Sequence, residues 1–290
     1  MMKKIAIIGA TGMLGQPVTY EFLNASYEVS IFVRNPSKAQ KLFGKKVNIT
    51  TGNLTDVARL KKFLENQDFL YLNLSVKQES GEHDFQPERE GLANILKAAK
   101  ETSLPRIGYL SSLVHFYQGQ NNFDWWVFRL KADAVSQIKS SGISYSIFYP
   151  STFMESFGKG AYRQGNNLLL SGKSAYKMYL ISGSDYGKQV IRAFENNNGN
   201  NEYTIQGQEG YTADEAATLF ADHYPKAKIR IIRAPFGLLK FLGKFTNKFN
   251  YAANIIEALN NYPEQFDAEK TWQKLGTPPT KFLDYIKKCP

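Results

Sequence analysis

The sequence predicts an α/β fold, a doubly wound parallel sheet followed by a smaller C-terminal lobe that covers a substrate. Three observations predict it. Short apolar runs rich in β-branched residues alternate with longer segments of helical spacing, a glycine-rich turn follows the first run directly, and the alternation stops after Pro150. Strands separated by helices must run parallel, because each crossover returns the chain over one face of the sheet in a right-handed sense. At 290 residues the chain suits one large unit with an appended lobe. The division expected is 1–150 for the sheet domain and 151–290 for the lobe, with some segments of the lobe returning to the sheet.

Residues 4–8, 28–33, 47–51, 69–74, 106–110 and 144–149 read as strands, and 16–24, 39–43, 56–66, 88–102 and 131–140 as the helices between them. In the lobe, 201–205 and 229–232 read as strands. Residues 212–223 read as a helix opened by Thr212, with Glu215 three residues on. The polar run 196–201 reads as a surface turn.

The turn Gly9-Ala10-Thr11-Gly12-Met13-Leu14-Gly15 closes a buried-type strand and opens a helix. Gly9 permits the tight turn, Gly12 lets backbone approach a pyrophosphate, and Gly15 lets helix and strand pack closely. The helix N-terminus offers its unpaired N–H groups to the anion. This is the Rossmann arrangement, and it predicts a bound dinucleotide. The second strand ends in Arg34, where an acid would meet the ribose 2′-hydroxyl of NAD. With Ser37 and Lys38 following, two cations and a hydroxyl surround the place of a 2′-phosphate, so NADP(H) is the cofactor expected.

Together with that loop, Val33-Arg34-Asn35-Pro36, Gly52-Asn53-Leu54-Thr55-Asp56, Gly91-Leu92-Ala93-Asn94-Ile95-Leu96 and Tyr109-Leu110-Ser111-Ser112 resemble the short-chain dehydrogenase/reductase superfamily, most of all its atypical, NmrA-like branch. Lys131, residues 141–147 and residues 149–155 continue the likeness in order. It covers most of residues 1–155 and, more weakly, 203–235. The resemblance implies a cofactor-binding set of Gly9, Thr11, Gly12, Met13, Leu14, Gly15, Arg34, Lys38, Asn53, Leu54, Leu74, Ser75, Lys131, Tyr149 and Pro150.

In the wider superfamily a Tyr four residues before a Lys supplies the proton for carbonyl reduction, the Lys holds the nicotinamide ribose, and a Ser polarises the substrate oxygen. Here Lys131 is present, but Val127 stands where the Tyr would be. That departure argues against ordinary carbonyl-reductase chemistry. The catalytic candidates are Lys131, Ser112, which matches the substrate-side serine better than Ser111, and His115, an alternative proton donor with a competing structural reading.

Other signals exclude function classes. No apolar run approaches the roughly 18 residues of a membrane span. The apolar stretch after Lys3 and Lys4 ends at Gly9, too short for a secretory signal core. The single cysteine, Cys289, has no disulfide partner, and a cytoplasmic location is expected. The net charge of +10 is shared equally by the two halves of the chain, which suits anionic small ligands and gives no nucleic-acid stripe. His83, His115 and His223 lack metal-site spacing, so no metal is expected.

One basic region is concentrated. No acid lies between His223 and Glu257, while Lys226, Lys228, Arg230, Arg233, Lys240, Lys244 and Lys248 accumulate there. Leu238, Leu242, Phe245 and Phe249 fall at helical spacing, so an amphipathic helix is expected, packed over the substrate pocket with its lysines in water. A membrane-surface or partner-binding helix is the alternative.

The leading functional expectation is an NADP(H)-dependent oxidoreductase acting on a small carbonyl or quinone. The rival is a non-catalytic NADP(H)-binding redox sensor of the NmrA-like type, working through a regulatory protein partner. A sugar-nucleotide epimerase or dehydratase ranks last, because it needs the missing Tyr.

Overall fold

The computed structural model describes residues 2–196 and 199–289, so residues 197 and 198 of the expected polar turn lie outside the described residues. The first half alternates as expected: β1 (Lys4–Ile8), α1 (Gly15–Asn24), β2 (Glu28–Val33), α2 (Pro36–Phe43), β3 (Asn48–Thr51), α3 (Val57–Leu64), β4 (Phe69–Leu72), α4 (Leu92–Glu101), β5 (Arg106–Leu110), α5 (Trp126–Lys139) and β6 (Ser144–Pro150). The next stretch holds α6 (Glu155–Gly158), β7 (Arg163–Gln164), β8 (Asn167–Ser171), β9 (Met178–Tyr179), α7 (Gly183–Glu195), β10 (Asn201–Ile205) and β11 (Gly210–Tyr211). The chain continues through α8 (Ala213–His223), β12 (Arg230–Ala234), α9 (Phe236–Gly243), α10 (Asn247–Asn261), α11 (Glu269–Leu275) and α12 (Phe282–Lys288).

The central sheet has seven strands in the order β10-β6-β5-β4-β1-β2-β3, and every pairing in it is parallel. This is the Rossmann-like α/β fold. Its order reverses between β1 and β4, which opens a crevice beyond the carboxyl ends of these strands, where ligands bind in such sheets. Residues 201–205, read from sequence as a strand of the second lobe, pair instead with β6 in this sheet. The sheet therefore draws its seventh strand, and one covering helix, from beyond Pro150. That helix is α7, whose Ser184 Oγ donates to Glu21 Oε1 of α1 at 2.6 Å.

Strand alternation divides the core into two layers. Ile5, Ile7 and Ile31 face Phe22 of α1 and Phe194 of α7. Ala6, Ile8 and Leu72 face Leu60 of α3 and Leu96 of α4. Each such side chain taken fully out of water contributes about 1.5–3 kcal/mol. The smaller lobe has its own core of Met154, Phe157, Leu168, Phe220 and Phe282. Its helix α8 starts at the expected capping box, Thr212 with Glu215. Among the described residues no helix is long and apolar enough to cross a membrane.

The helix expected over 238–249 is a correction. The chain breaks between α9 and α10, and Thr246 Oγ1 accepts from Phe249 N to cap the second helix. Gly243 permits the tight return, for it is buried against α10, where a Cβ would lie 3.1 Å from Asn250 Cα. Apolar residues at single-helix spacing thus fall on two helices and the turn between them. Leu238, Phe245 and Phe249 are 51%, 69% and 40% exposed, and the wall over the pocket is formed by later residues of α10.

Candidate functional site

The glycine loop has the geometry a pyrophosphate needs. Gly9 adopts φ +93, and a Cβ on it would sit 2.1 Å from the Asn73 carbonyl oxygen. A Cβ on Gly15 would sit 2.1 Å from the Gly9 carbonyl oxygen, so the first turn of α1 lies directly on the end of β1. Gly12 is exposed at the loop tip, its N–H donating to the Gly9 carbonyl at 3.1 Å. Thr11, Met13 and Leu14 complete the loop, half-buried. Helix α1 has no side-chain cap and no acid in its first turn. Gln16 N donates to the Gly12 carbonyl at 3.1 Å and Pro17 has no N–H, which leaves the amides of Leu14 and Gly15 at the helix start for an external anion.

Arg34 follows β2 directly and is exposed, as is Lys38. Asn35 Oδ1 accepts from Lys38 N at 3.0 Å and Pro36 occupies the first helical position, so the start of α2 is fixed beside Arg34. Beyond β3, Asn53 is exposed. Leu54 is held by Gly91, where a Cβ would lie 2.9 Å from Leu54 Cδ1, and its carbonyl accepts from Asn94 Nδ2 at 2.9 Å.

From this edge a cavity of about 290 Å³ runs between the sheet and the smaller lobe. Leu14, Leu74 and Ser75 line its cofactor side, and Ser111, Ser112, Val127, Lys131 and Pro150 its floor. Tyr251, Ile255 and Leu259 of α10 cover it. The Ser111 hydroxyl is buried with no hydrogen-bond partner among the described residues.

Lys131 is no solvated surface lysine. Its Nζ donates to Glu88 Oε1 at 2.9 Å, and the Tyr109 hydroxyl donates to the same oxygen at 2.6 Å. Glu88 is completely buried, and its Oε2 has no partner among the described residues. Burial and the Glu88 charge hold the Tyr109 hydroxyl well above the usual tyrosine range. One turn before Lys131, Val127 is buried at the cleft. The aromatic group supplied there comes from the other lobe: Tyr251 packs edge-on against Trp125 at 5.0 Å. Burial, and secondarily the Glu88 charge, push the Tyr251 hydroxyl up to about 12, so it remains protonated at neutral pH.

Two expected residues do not reach the cleft. His115 is buried beside it with Nδ1–H donating to the Ser112 carbonyl and its ring stacked 5.8 Å from Tyr149. Burial lowers its pKa to about 4, with a smaller contribution from the Lys131 charge. It is neutral and structural at physiological pH. Tyr149 turns away from Pro150, as successive strand residues must, and its hydroxyl donates to Glu202 Oε2 at 2.7 Å. Among the described residues no group of three His, Cys, Asp or Glu is placed to hold a metal.

Sequence reasoning missed Glu88, Tyr251 and Glu264. Glu264 is a half-buried cleft carboxyl that accepts from Ser151 Oγ at 2.9 Å and Gln206 Nε2 at 2.8 Å, and desolvation raises its pKa. No local pattern marks any of the three; only the fold brings Tyr251 and Glu264 to the cleft and sets Glu88 behind Lys131.

The crevice and glycine cradle define a dinucleotide-binding α/β protein. Residues 9–196 match the model of the NAD(P)H-binding family, and the chain belongs to that family. Its resemblance to the atypical short-chain dehydrogenase/reductase group stands with this assignment. The chain is 26% identical over 264 residues to the photosystem II assembly factor Ycf39 of Guillardia theta, covering 88% of this chain and 81% of that protein. Its fold superposes on the NADPH-dependent quinone oxidoreductase of Escherichia coli, solved in complex with NADPH, with a TM-score of 0.74 at 20% identity, covering 98% and 99% of the two chains. The triphenylmethane reductase of Citrobacter sp., solved with NADP(H), gives a TM-score of 0.72 at 17% identity over 99% and 100%. At these identities the two structures show a shared fold.

Proposed function

We propose that this protein is an NADP(H)-dependent reductase of a flat, conjugated, largely apolar acceptor of the quinone type. The observation that carries the reading is Val127 at the cleft, in the place of the superfamily's acid, beneath the aromatic cover of Trp125 and Tyr251. NADPH, when bound, supplies a hydride. Hydride transfer to a simple ketone produces an alkoxide, which demands a strong proton donor within hydrogen-bond reach. Transfer to a quinone produces a phenolate-type anion, which resembles a tyrosinate with a pKa of about 10 and is protonated by water.

The residues suit the second demand. Arg34 and Lys38 receive the 2′-phosphate, and the glycine loop receives the pyrophosphate. Lys131, steadied by Glu88, directs Nζ protons at the nicotinamide ribose. Ser111 and Ser112 offer hydroxyls to an acceptor oxygen, and Tyr251 orients the acceptor as a neutral donor. A cavity of about 290 Å³ is at the lower end for small-molecule sites, about 300–1,000 Å³. That size favours a ring system over a sugar nucleotide and keeps the epimerase reading last. The quinone and dye reductases of the same fold, and a 24% identity over 213 residues to a phenylcoumaran benzylic ether reductase of Pinus taeda, support an oxidoreductase. A cytoplasmic location suits the buried, unpaired Cys289.

Val127 also favours a second reading, in which the chain binds NADP(H) and signals redox state without turnover. NADPH oxidation against benzoquinones, naphthoquinones and aldehydes, beside a calorimetric NADPH titration, separates the two. Quinone turnover without aldehyde turnover is expected. Binding without any turnover supports the sensor, and absence of binding removes both.

A further inference from the structure

The break between α9 and α10 leaves an apolar surface that the sheet, the cleft and the core do not use. Leu238, Phe241, Phe245 and Phe249 are 51%, 54%, 69% and 40% exposed. They form one feature, since the Phe241 and Phe245 rings meet edge to face at 5.2 Å and α9 lies against α10. Of α9, only Gly243 is buried. Large apolar side chains exposed singly are ordinary, but a cluster of them on one face marks a contact surface.

Within α9 and the turn to α10 the charged side chains are all lysines, while the loop carrying Glu79 and Asp84 borders α10 at Asn247. Lys244 and Lys248 alternate with these rings through the turn, and among the described residues neither lies within ion-pair distance of an acid. Lys240 reaches back to Glu257 Oε2 at 2.8 Å. Glu79 borders the patch, its carbonyl accepting from Asn247 Nδ2 at 3.0 Å, but residues 224–256 contain no acid at all.

We propose that this face docks the protein on an anionic phospholipid surface. Aromatic and leucyl side chains protruding beside lysines are the chemistry of an interfacial anchor: the rings enter the boundary between headgroups and acyl chains while the ammonium groups meet lipid phosphates. A second copy of the chain is the other occupant, and the test below separates it from a lipid surface. The most exposed ring, Phe245, stands on a turn and not in a groove, which suits a fluid layer better than a rigid partner surface. The inference is independent of the reductase reading, since docking requires neither cofactor nor turnover.

The test is co-sedimentation of the full chain with vesicles of phosphatidylcholine mixed with phosphatidylglycerol, and with vesicles of phosphatidylcholine alone, at about 0.15 M salt. Binding is expected to the anionic vesicles and to be weak on the neutral ones. Each lysine near an anionic surface contributes about 1 kcal/mol, so Lys244→Gln with Lys248→Gln should weaken partition about thirtyfold. Phe241→Ser with Phe245→Ser should weaken it at least about tenfold, with melting temperature and NADPH affinity unchanged. Three results overturn the proposal. One is no sedimentation with anionic vesicles. Another is sedimentation that survives the Phe241→Ser/Phe245→Ser change, which assigns it to the diffuse net charge. The third is a dimer that this change dissociates, which makes a second copy the occupant.

Discussion

Replacing Lys131 by methionine removes the cation facing Glu88 while keeping most of the stem. Glu88 is fully buried, and its Oε1 would then keep only the Tyr109 hydroxyl, at 2.6 Å. Breaking a buried pair by deleting one partner costs about 3–5 kcal/mol. Lys131 is 17% exposed and Tyr109 stays in place, so the cost falls at or just below the bottom of that range, about 2–3 kcal/mol. At about 2–4 °C per kcal/mol for a chain of this class, Lys131→Met should melt about 5–10 °C below wild type. The double change Glu88→Gln with Lys131→Met removes the stranded charge and should recover most of that loss. NADPH affinity then separates two roles that a single substitution confounds. If Lys131 holds the ribose, both variants bind NADPH weakly although only one is unstable. Scanning fluorimetry with a calorimetric NADPH titration reads both quantities. An unchanged melting temperature in Lys131→Met refutes the buried-pair account, and wild-type NADPH affinity in the double variant refutes the ribose role.

Two further outcomes are expected. Arg34→Ala should reduce the preference for NADPH over NADH roughly tenfold or more, since a charge-assisted bond to phosphate contributes about 1.5–3 kcal/mol; equal discrimination by wild type and variant, measured by calorimetry, removes Arg34 from the site. His115 accepts a proton near 6.5 in the unfolded chain but only near 4 in the folded one. Its depressed folded value means that stability is fully present above about 6.5, falls as pH drops toward about 4, and levels off below that. The shift caps the loss at about 3 kcal/mol, with about 2 kcal/mol gone by pH 5. Glu155 and Glu264 carry raised values and act in the opposite sense, so the comparison is with His115→Gln in urea denaturation at about pH 7 and pH 5. Parallel pH dependences of the two proteins would show that His115 is not buried as described.

Features governed by local periodicity and turn chemistry were legible in the sequence. The six strands up to Pro150 and the Thr212 cap read directly, and so did the glycine loop, whose steric demands at Gly9 and Gly15 are visible as impossible Cβ positions. Features governed by long-range packing were not. Residues 201–205 look the same whether they pair within a lobe or on β6. The stripe of Leu238, Leu242, Phe245 and Phe249 has helical spacing, yet the chain turns after Gly243, which packs on Asn250, and Thr246 caps a second helix. Tyr149 sits near the end of its expected strand and His115 in the helical turn after Ser112, but strand alternation and that turn direct both rings away from the cleft. Tyr251 reaches the cleft, and Glu88 reaches Lys131, from segments far apart in sequence, with no motif to mark either.

The loss of the tyrosine at Val127 also explains why the cofactor is easier to read than the substrate. The groups proposed to hold the dinucleotide, from Gly9 to Lys131, all lie within residues 9–196, the part that matches the NAD(P)H-binding family. Tyr251, which lines the cleft, lies on α10 and beyond that match. It is held there by an edge-on contact to Trp125, which shares a cluster with Val127 and Phe128. The apolar floor on α5 and the tyrosine on α10 therefore act as one unit. Restoring a tyrosine by Val127→Tyr would place a ring where Val127 is 2% exposed and crowd the space that Trp125 and Tyr251 occupy. Overpacking of that kind costs about 1–3 kcal/mol. Changes in substrate choice are thus expected to require α10 together with α5, while the cofactor side stays as it is.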